Sequence, residues 1–162
     1  MYQRLLVPLD GSATAALALG EAAQLARLAG ATVVLLHVVD AMDHVTGFEP
    51  PLVHIQEVRP TFLRNGQALL DAARQTLEAQ GVTAETVLLE SQGERVSQLI
   101  ADQASQAGCD LIVLGTHGRR GVNRLLLGSD AEQVARIAAM PVMLVRPRGA
   151  GAPATRTTPT QG

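Results

Sequence analysis

At 162 residues the chain has the length of one domain with a sizeable core. Its hydrophobic residues (47%) are too many for a disordered chain, and no run approaches the ~20 apolar residues of a membrane-spanning helix. A net charge of −2, with no Trp, one Tyr and two Phe, leaves neither a basic footprint nor a stacking platform, so neither nucleic acid nor membrane is an expected partner.

Residues 2–8 contain Leu5-Leu6-Val7, a short apolar run suited to a central parallel strand, and Asp10-Gly11-Ser12 breaks it. Residues 13–29 are alanine-rich and predict a helix with Leu17, Leu25 and Leu28 on its inner face, ended by Gly30. Residues 32–39 are β-branched and apolar, a second buried strand, in which His37 is expected to be a satisfied core histidine. Strand, helix and strand make a βαβ unit with a right-handed crossover. Residues 41–60 have no clean period and hold Gly47, Pro50, Pro51 and Pro60, which predicts a long loop. A helix follows over 61–80, with Leu63, Leu70, Ala73 and Leu77 inward and Gly81 as its cap. A strand is expected over 84–90, a helix over 94–107 with Val96, Leu99, Ile100 and Gln103 inward, and a strand over 110–115. The last helix spans 129–139 and the last strand is Val142-Met143-Leu144-Val145. Alternating strands and helices predict an open, mostly parallel sheet covered on both faces. Residues 148–162 have nothing to bury and read as a disordered tail behind a domain of residues 1–147. One cysteine, Cys109, allows no internal disulfide, and the start shows no signal-peptide pattern; both lead to an expectation of a cytoplasmic protein.

The stretch from Gly115 to Ser129 carries the chemistry. Glycines at 115, 118, 121 and 128 free the backbone to approach a ligand, and Arg119, Arg120 and Arg124 lie between them. A loop of this kind, running from a buried strand into a helix N-terminus, suits an anion such as a nucleotide phosphate. All 13 basic residues are arginine; with no lysine there is no Walker A lysine, no Schiff base and no kinase-type catalytic lysine. Each residue has a plainer role beside the functional one. Asp10 suits an Asp-Gly-Ser turn. Ser129-Asp130-Ala131-Glu132 fits a capping box, in which Ser129 would satisfy a helix amide. His117 and the arginines would otherwise be solvated loop residues. His44 and His54, with a single cysteine elsewhere, make no zinc pattern.

The spacing Gly115, two residues, Gly118, nine residues, Gly128-Ser129 resembles the nucleotide-binding branch of the universal stress protein family. Pro8-Leu9-Asp10-Gly11-Ser12, Leu36-His37-Val38-Val39-Asp40 and the final strand agree with it, over residues 1–147. The resemblance implies a five-stranded, Rossmann-like α/β fold of order 3-2-1-4-5 and a homodimer through Val142 to Val145. It also implies ATP, or AMP or ADP, at the strand ends with Mg²⁺ or Mn²⁺. Loop chemistry and resemblance together nominate as nucleotide-binding Pro8, Asp10, Val38, Leu114, Gly115, His117, Gly118, Arg119, Gly121, Gly128, Ser129 and Asp130. Asp130 departs from the family, which usually has a small apolar residue there. No nucleophile–base pair can be assembled, so the expected role is a nucleotide-dependent regulator with weak hydrolysis at most. The alternative is a slow metal-dependent ATPase or adenylyl-transfer enzyme of related fold.

Overall fold

The computed structural model describes residues 1–40, 57–117 and 127–147. Among the described residues, five strands and four helices occur in the order β1 (Arg4–Pro8), α1 (Ala13–Ala29), β2 (Thr32–Asp40), α2 (Arg59–Glu78), β3 (Ala84–Ser91), α3 (Val96–Gln106), β4 (Leu111–Gly115), α4 (Ser129–Ile137) and β5 (Val142–Val145). All pairings are parallel and the order is β3-β2-β1-β4-β5, as the resemblance implied.

Alternation along each strand divides the core into two layers. Leu5, Val7, Val33, Leu35, Leu111 and Val113 face α1 and α2. Leu6, Val34, Leu36, Ile112 and Leu114 face α3 and α4. Strands buried on both faces read as continuous apolar runs, which is why the sequence shows no polar alternation there.

The inner face of α1 differs from the expected one. Leu28 is 83% exposed and Leu17 43%, while Ala15, Ala18, Ala22, Ala23 and Ala26 are buried. Leu25 is half-buried at the margin of the same layer. Methyl-sized side chains bring the helix axis close to the sheet, and leucines on that line would hold it away. Ser12 caps the helix start by accepting from Ala15 N at 3.2 Å. Gly30 ends it at φ +68°, a left-handed position that suits glycine.

Helix α2 starts at Arg59, so Pro60 belongs to its first turn and not to the preceding loop. Proline is harmless there because the first-turn N–H groups have no partner within the helix. Of the rest of the expected loop, residues 41–56 lie outside the described residues. Leu70, Ala73 and Leu77 are buried as expected, and Leu63 is half-buried. Helix α3 begins two residues later than expected, and its buried line is Ser97, Ile100, Ala101 and Ala104. Leu99 and Gln103 are only half-buried. The expected tail also lies outside the described residues.

Two contacts hold the N-terminal pole of the sheet. The Asp110 carboxylate accepts from the backbone N–H groups of Gln3 and Arg4, at 2.8 and 3.1 Å, which joins the starts of β4 and β1. Arg4 grips Glu85 with both terminal nitrogens, at 3.0 and 2.7 Å, and this hydrogen bonding holds the Glu85 carboxyl below its ordinary range.

At the opposite pole β4 touches the start of α1. A Cβ on Gly115 would lie 2.8 Å from the carbonyl carbon and oxygen of Thr14. Glycine is required here by the neighbouring backbone, whatever a ligand needs. Gly115→Ala is therefore expected to destabilise the protein by about 1–3 kcal/mol, the usual cost of overpacking, measured by urea unfolding. The alanine face of α1 gives a second test. Leu28→Ser should shift stability by no more than about 0.5 kcal/mol, as for ordinary surface positions. Ala22→Leu should cost about 1–3 kcal/mol. The reverse ranking would mean that the leucines face the core.

Candidate functional site

Strands β1 and β4 are neighbours whose connections leave in opposite directions, to β2 and to β5. Ligands of open parallel sheets bind beyond the strand C-termini at such a switch point. A cleft of about 790 Å³ lies there. Pro8, Asp10, Val38, Leu114, Gly115, His117, Gly128, Ser129 and Asp130 all line it. The other three nominated residues, Gly118, Arg119 and Gly121, lie outside the described residues, as do Arg120 and Arg124.

The β1 side is a turn. Leu9 N donates to Leu36 O at 2.7 Å, extending the β1–β2 pairing by one bond. Asp10 Oδ1 then accepts from Ser12 N at 2.9 Å, and Gly11 takes φ +80°. The plainer reading of Asp10 is thus correct, and the residue lines the cleft as well. His37, behind it, is buried, with Nδ1 2.6 Å from Leu9 O. A Cβ on Gly66 would come within 2.6 Å of the imidazole Cδ2, so that glycine makes room for the ring.

The β4 side is pinned twice through Thr116. Thr116 N donates to Val145 O at 3.0 Å, and Thr116 O accepts from Gly128 N at 2.8 Å. The second bond holds together the two ends of the glycine-rich stretch. A Cβ on Gly128 would lie 3.1 Å from Thr116 O, so this close approach favours glycine. Thr14 Oγ1 donates to His117 O, which ties the stretch to α1. The His117 ring sits against Thr116 Oγ1 through Nδ1 at 2.9 Å, while its Nε2 is buried without a hydrogen-bond partner among the described residues.

The capping box at Ser129 does not form. Gly128 is the N-cap of α4 and makes no side-chain cap bond, and Ser129 is the first helical residue. The reason lies in register: Glu132 N bonds to Gly128 O at 2.9 Å, which places the helix start one residue earlier than the box requires. Glu132 instead pairs with Arg136 at 2.6 Å. First-turn amide groups of Ser129, Asp130 and Ala131 have no acceptors inside the helix, and these residues line the cleft. Asp130 and Glu132 add negative charge in that turn, which suits the helix dipole.

Val38, Leu36 and Leu114 give the cleft an apolar wall on the α3 and α4 side of the sheet. An apolar wall beside a few convergent polar groups, in a volume of this size, is the usual make-up of a small-molecule site. The residues present suit an adenine nucleotide: the wall fits a base, and the first-turn amide groups of α4 supply donors for an anion. No group of three or more His, Cys, Asp or Glu side chains placed to hold a metal ion occurs among the described residues. The sequence reading missed Arg95, Ser97, Asp40 and Thr116, which also line the cleft. Arg95 and Ser97 follow no glycine signature; only the strand order brings the start of α3 over this end of the sheet.

Known proteins agree with this architecture. The sequence model described as the universal stress protein family matches residues 1–146. Universal stress protein YxiE of Bacillus subtilis is 32% identical over 151 residues, covering 90% of this chain and all of that one. The solved structure of MJ0577 from Methanocaldococcus jannaschii superposes with a TM-score of 0.79 at 25% identity, over 93% of this chain and 99% of that one. A universal stress protein from Archaeoglobus fulgidus, solved in complex with dAMP, superposes with a TM-score of 0.61 at 25% identity, over 90% and 98%. With the strand order, the switch-point cleft and a family match over nearly all of the described chain, this protein belongs to the universal stress protein family.

Proposed function

We propose that the protein binds adenine nucleotides, ATP foremost, and works as a nucleotide-dependent regulatory module. The observation that carries this reading is the joining, in one switch-point cleft, of an apolar wall from Leu36, Val38 and Leu114 and the first-turn amide groups of Ser129, Asp130 and Ala131. The dAMP complex of the Archaeoglobus fulgidus relative supports it. In this reading Val38 and Leu36 lie along the base, and Asp10 contacts the sugar from the end of β1. Gly115, His117, Gly128 and Ser129 hold the phosphates, with Gly118, Arg119 and Gly121 from the glycine-rich stretch. The acting unit is residues 1–147, with 148–162 as an appendage, and its setting is the cytoplasm. Burial, which pushes the Cys109 thiol up, makes that cysteine unreactive and suits a structural role.

Asp130 bears on the cation. Two unit charges ~4 Å apart at an effective dielectric of 20 repel by about 4 kcal/mol, more than the ~0.3–1 kcal/mol a helix N-terminus returns. A carboxylate beside phosphates is therefore best served by a divalent cation between them. Mg²⁺ or Mn²⁺ is proposed to enter with the phosphates and to gain Asp130 as an added partner. Calorimetry with ATP tests both points. Gly128→Val, which crowds Thr116 O, should weaken ATP at least about tenfold, or 1.4 kcal/mol. Asp130→Ala should remove most of the difference between Mg²⁺ and EDTA while raising affinity in EDTA. No heat from the unaltered protein, or unchanged affinity in Gly128→Val, refutes nucleotide binding here. Phosphate or pyrophosphate release above the protein-free rate would favour an enzyme.

A homodimer through β5 belongs to the same proposal. Strand β5 is at the sheet edge, with Val142 and Leu144 half-buried and Met143 39% exposed. An apolar edge with unpaired backbone groups invites pairing, and a two-fold partner strand covers it. Leu144→Arg or Met143→Arg should move the light-scattering mass toward monomer or cause precipitation. A monomeric unaltered chain at micromolar concentration would exclude this interface.

A further inference from the structure

We infer that Arg95 is a specificity-determining residue that lays its guanidinium plane over the purine ring, an inference that rests on the adenine-nucleotide reading above. Arg95 is the N-cap residue of α3, is exposed, and lines the cleft at the switch point. It is the only arginine among the described residues that line this cleft, and the other charged side chains there are Asp10, Asp40 and Asp130. Its guanidinium has no hydrogen-bond or ion-pair partner among the described residues. Arg4 and Arg59, by contrast, are engaged by Glu85 and Glu90.

Topology decides which part of a nucleotide Arg95 meets. Strand β2 lies on one side of β1 and β4 on the other. The α4 N-terminus and Thr116 belong to the β4 side, and phosphates go there. Helix α3 follows β3, the strand outside β2, so its start enters the cleft from the β2 side. Val96 and Ile100 of α3 and Val38 of β2 pack in one apolar layer just behind it. A flat base against that layer leaves its outer face open. No Phe, Tyr or Trp lines the cleft among the described residues to cover that face. A guanidinium is planar, weakly hydrated and cationic, and it stacks on aromatic faces, nucleobases included. Such a stack favours the larger ring system of a purine over a pyrimidine.

The test is calorimetry on the full chain with adenosine, AMP and ATP, each at low and high salt. Arg95→Ala should weaken all three by one common factor, about three- to thirtyfold, the span of a cation–π contact from exposed to desolvated settings. That factor should change little with salt. Arg95→Lys, which keeps the charge but loses the plane, should recover little of it. The preference for ATP over CTP should fall by the same factor in both variants. Thermal melts should be unchanged, because an exposed N-cap arginine that makes no side-chain cap bond supports little of the fold. A loss that grows from adenosine to ATP and fades in high salt would make Arg95 a phosphate contact and overturn the stack. Unchanged affinity in Arg95→Ala overturns the stack alone. If the unaltered chain binds none of the three, the nucleotide reading falls and the stack falls with it.

Discussion

The close approach of β4 to the start of α1 sets the rest of the site. At Gly115 the strand backbone lies where a methyl group would meet the Thr14 carbonyl. Everything downstream inherits that contact. One residue on, Thr116 holds β5 by its N–H and Gly128 by its carbonyl. Two residues on, the His117 carbonyl is held by Thr14. Helix α4 then starts from a point fixed against β4, and its first turn opens into the cleft. Two of the signature glycines therefore answer to backbone neighbours within the protein, Gly115 to Thr14 and Gly128 to Thr116. A ligand's needs and the fold's needs coincide at these positions.

The sheet gives these contacts a rigid frame. Its central strands bury Leu5, Leu6, Val7, Val33, Val34, Leu35, Leu36, Ile112 and Val113 completely. Parallel strands tolerate such burial because helices cover both faces. The side-chain hydrogen bonds that tie strand to strand among the described residues are kept at the two poles. At one pole the Asp110 carboxylate and the Arg4–Glu85 pair join β1, β3 and β4. At the other, backbone amides and hydroxyls surround the cleft. This segregation leaves the middle of the molecule to packing alone.

Much of the fold was legible because the strands are short apolar runs punctuated by glycine or proline, and because Gly30 and Gly81 stop the helices at left-handed positions. Order within the sheet was not legible from periodicity; it came from the family likeness. Leu17 and Leu28 misled for a physical reason: alanine carries little hydrophobic signal, yet its size makes it the better residue against a closely packed sheet. Pro60 misled because a proline marks either a loop or a first helical turn. At the candidate site, Asp10 was readable as a strand end and Gly115 and Gly128 as glycine spacing, whereas Val38, with a core-like side chain, came from the family likeness alone. Ser129 was misassigned by one residue of helix register, which decides whether a hydroxyl caps a helix or stands free of that duty. Arg95 was invisible, because nothing near it in the chain resembles a binding motif, and only the third dimension brings it in.

The alanine face of α1 also links distant parts of the molecule. Alanine has no rotamers, so the seam cannot absorb a change by turning a side chain; the helix must tilt or the sheet must give. From Ala26 to Ser12 the helix is a lever of about 21 Å. Its far end carries Ser12, which lines the cleft, and Thr14, which holds the His117 carbonyl. A methyl group added two or more turns away is thus felt as a displacement at the mouth of the cleft. The dimensions of that mouth are written partly in residues that no ligand touches.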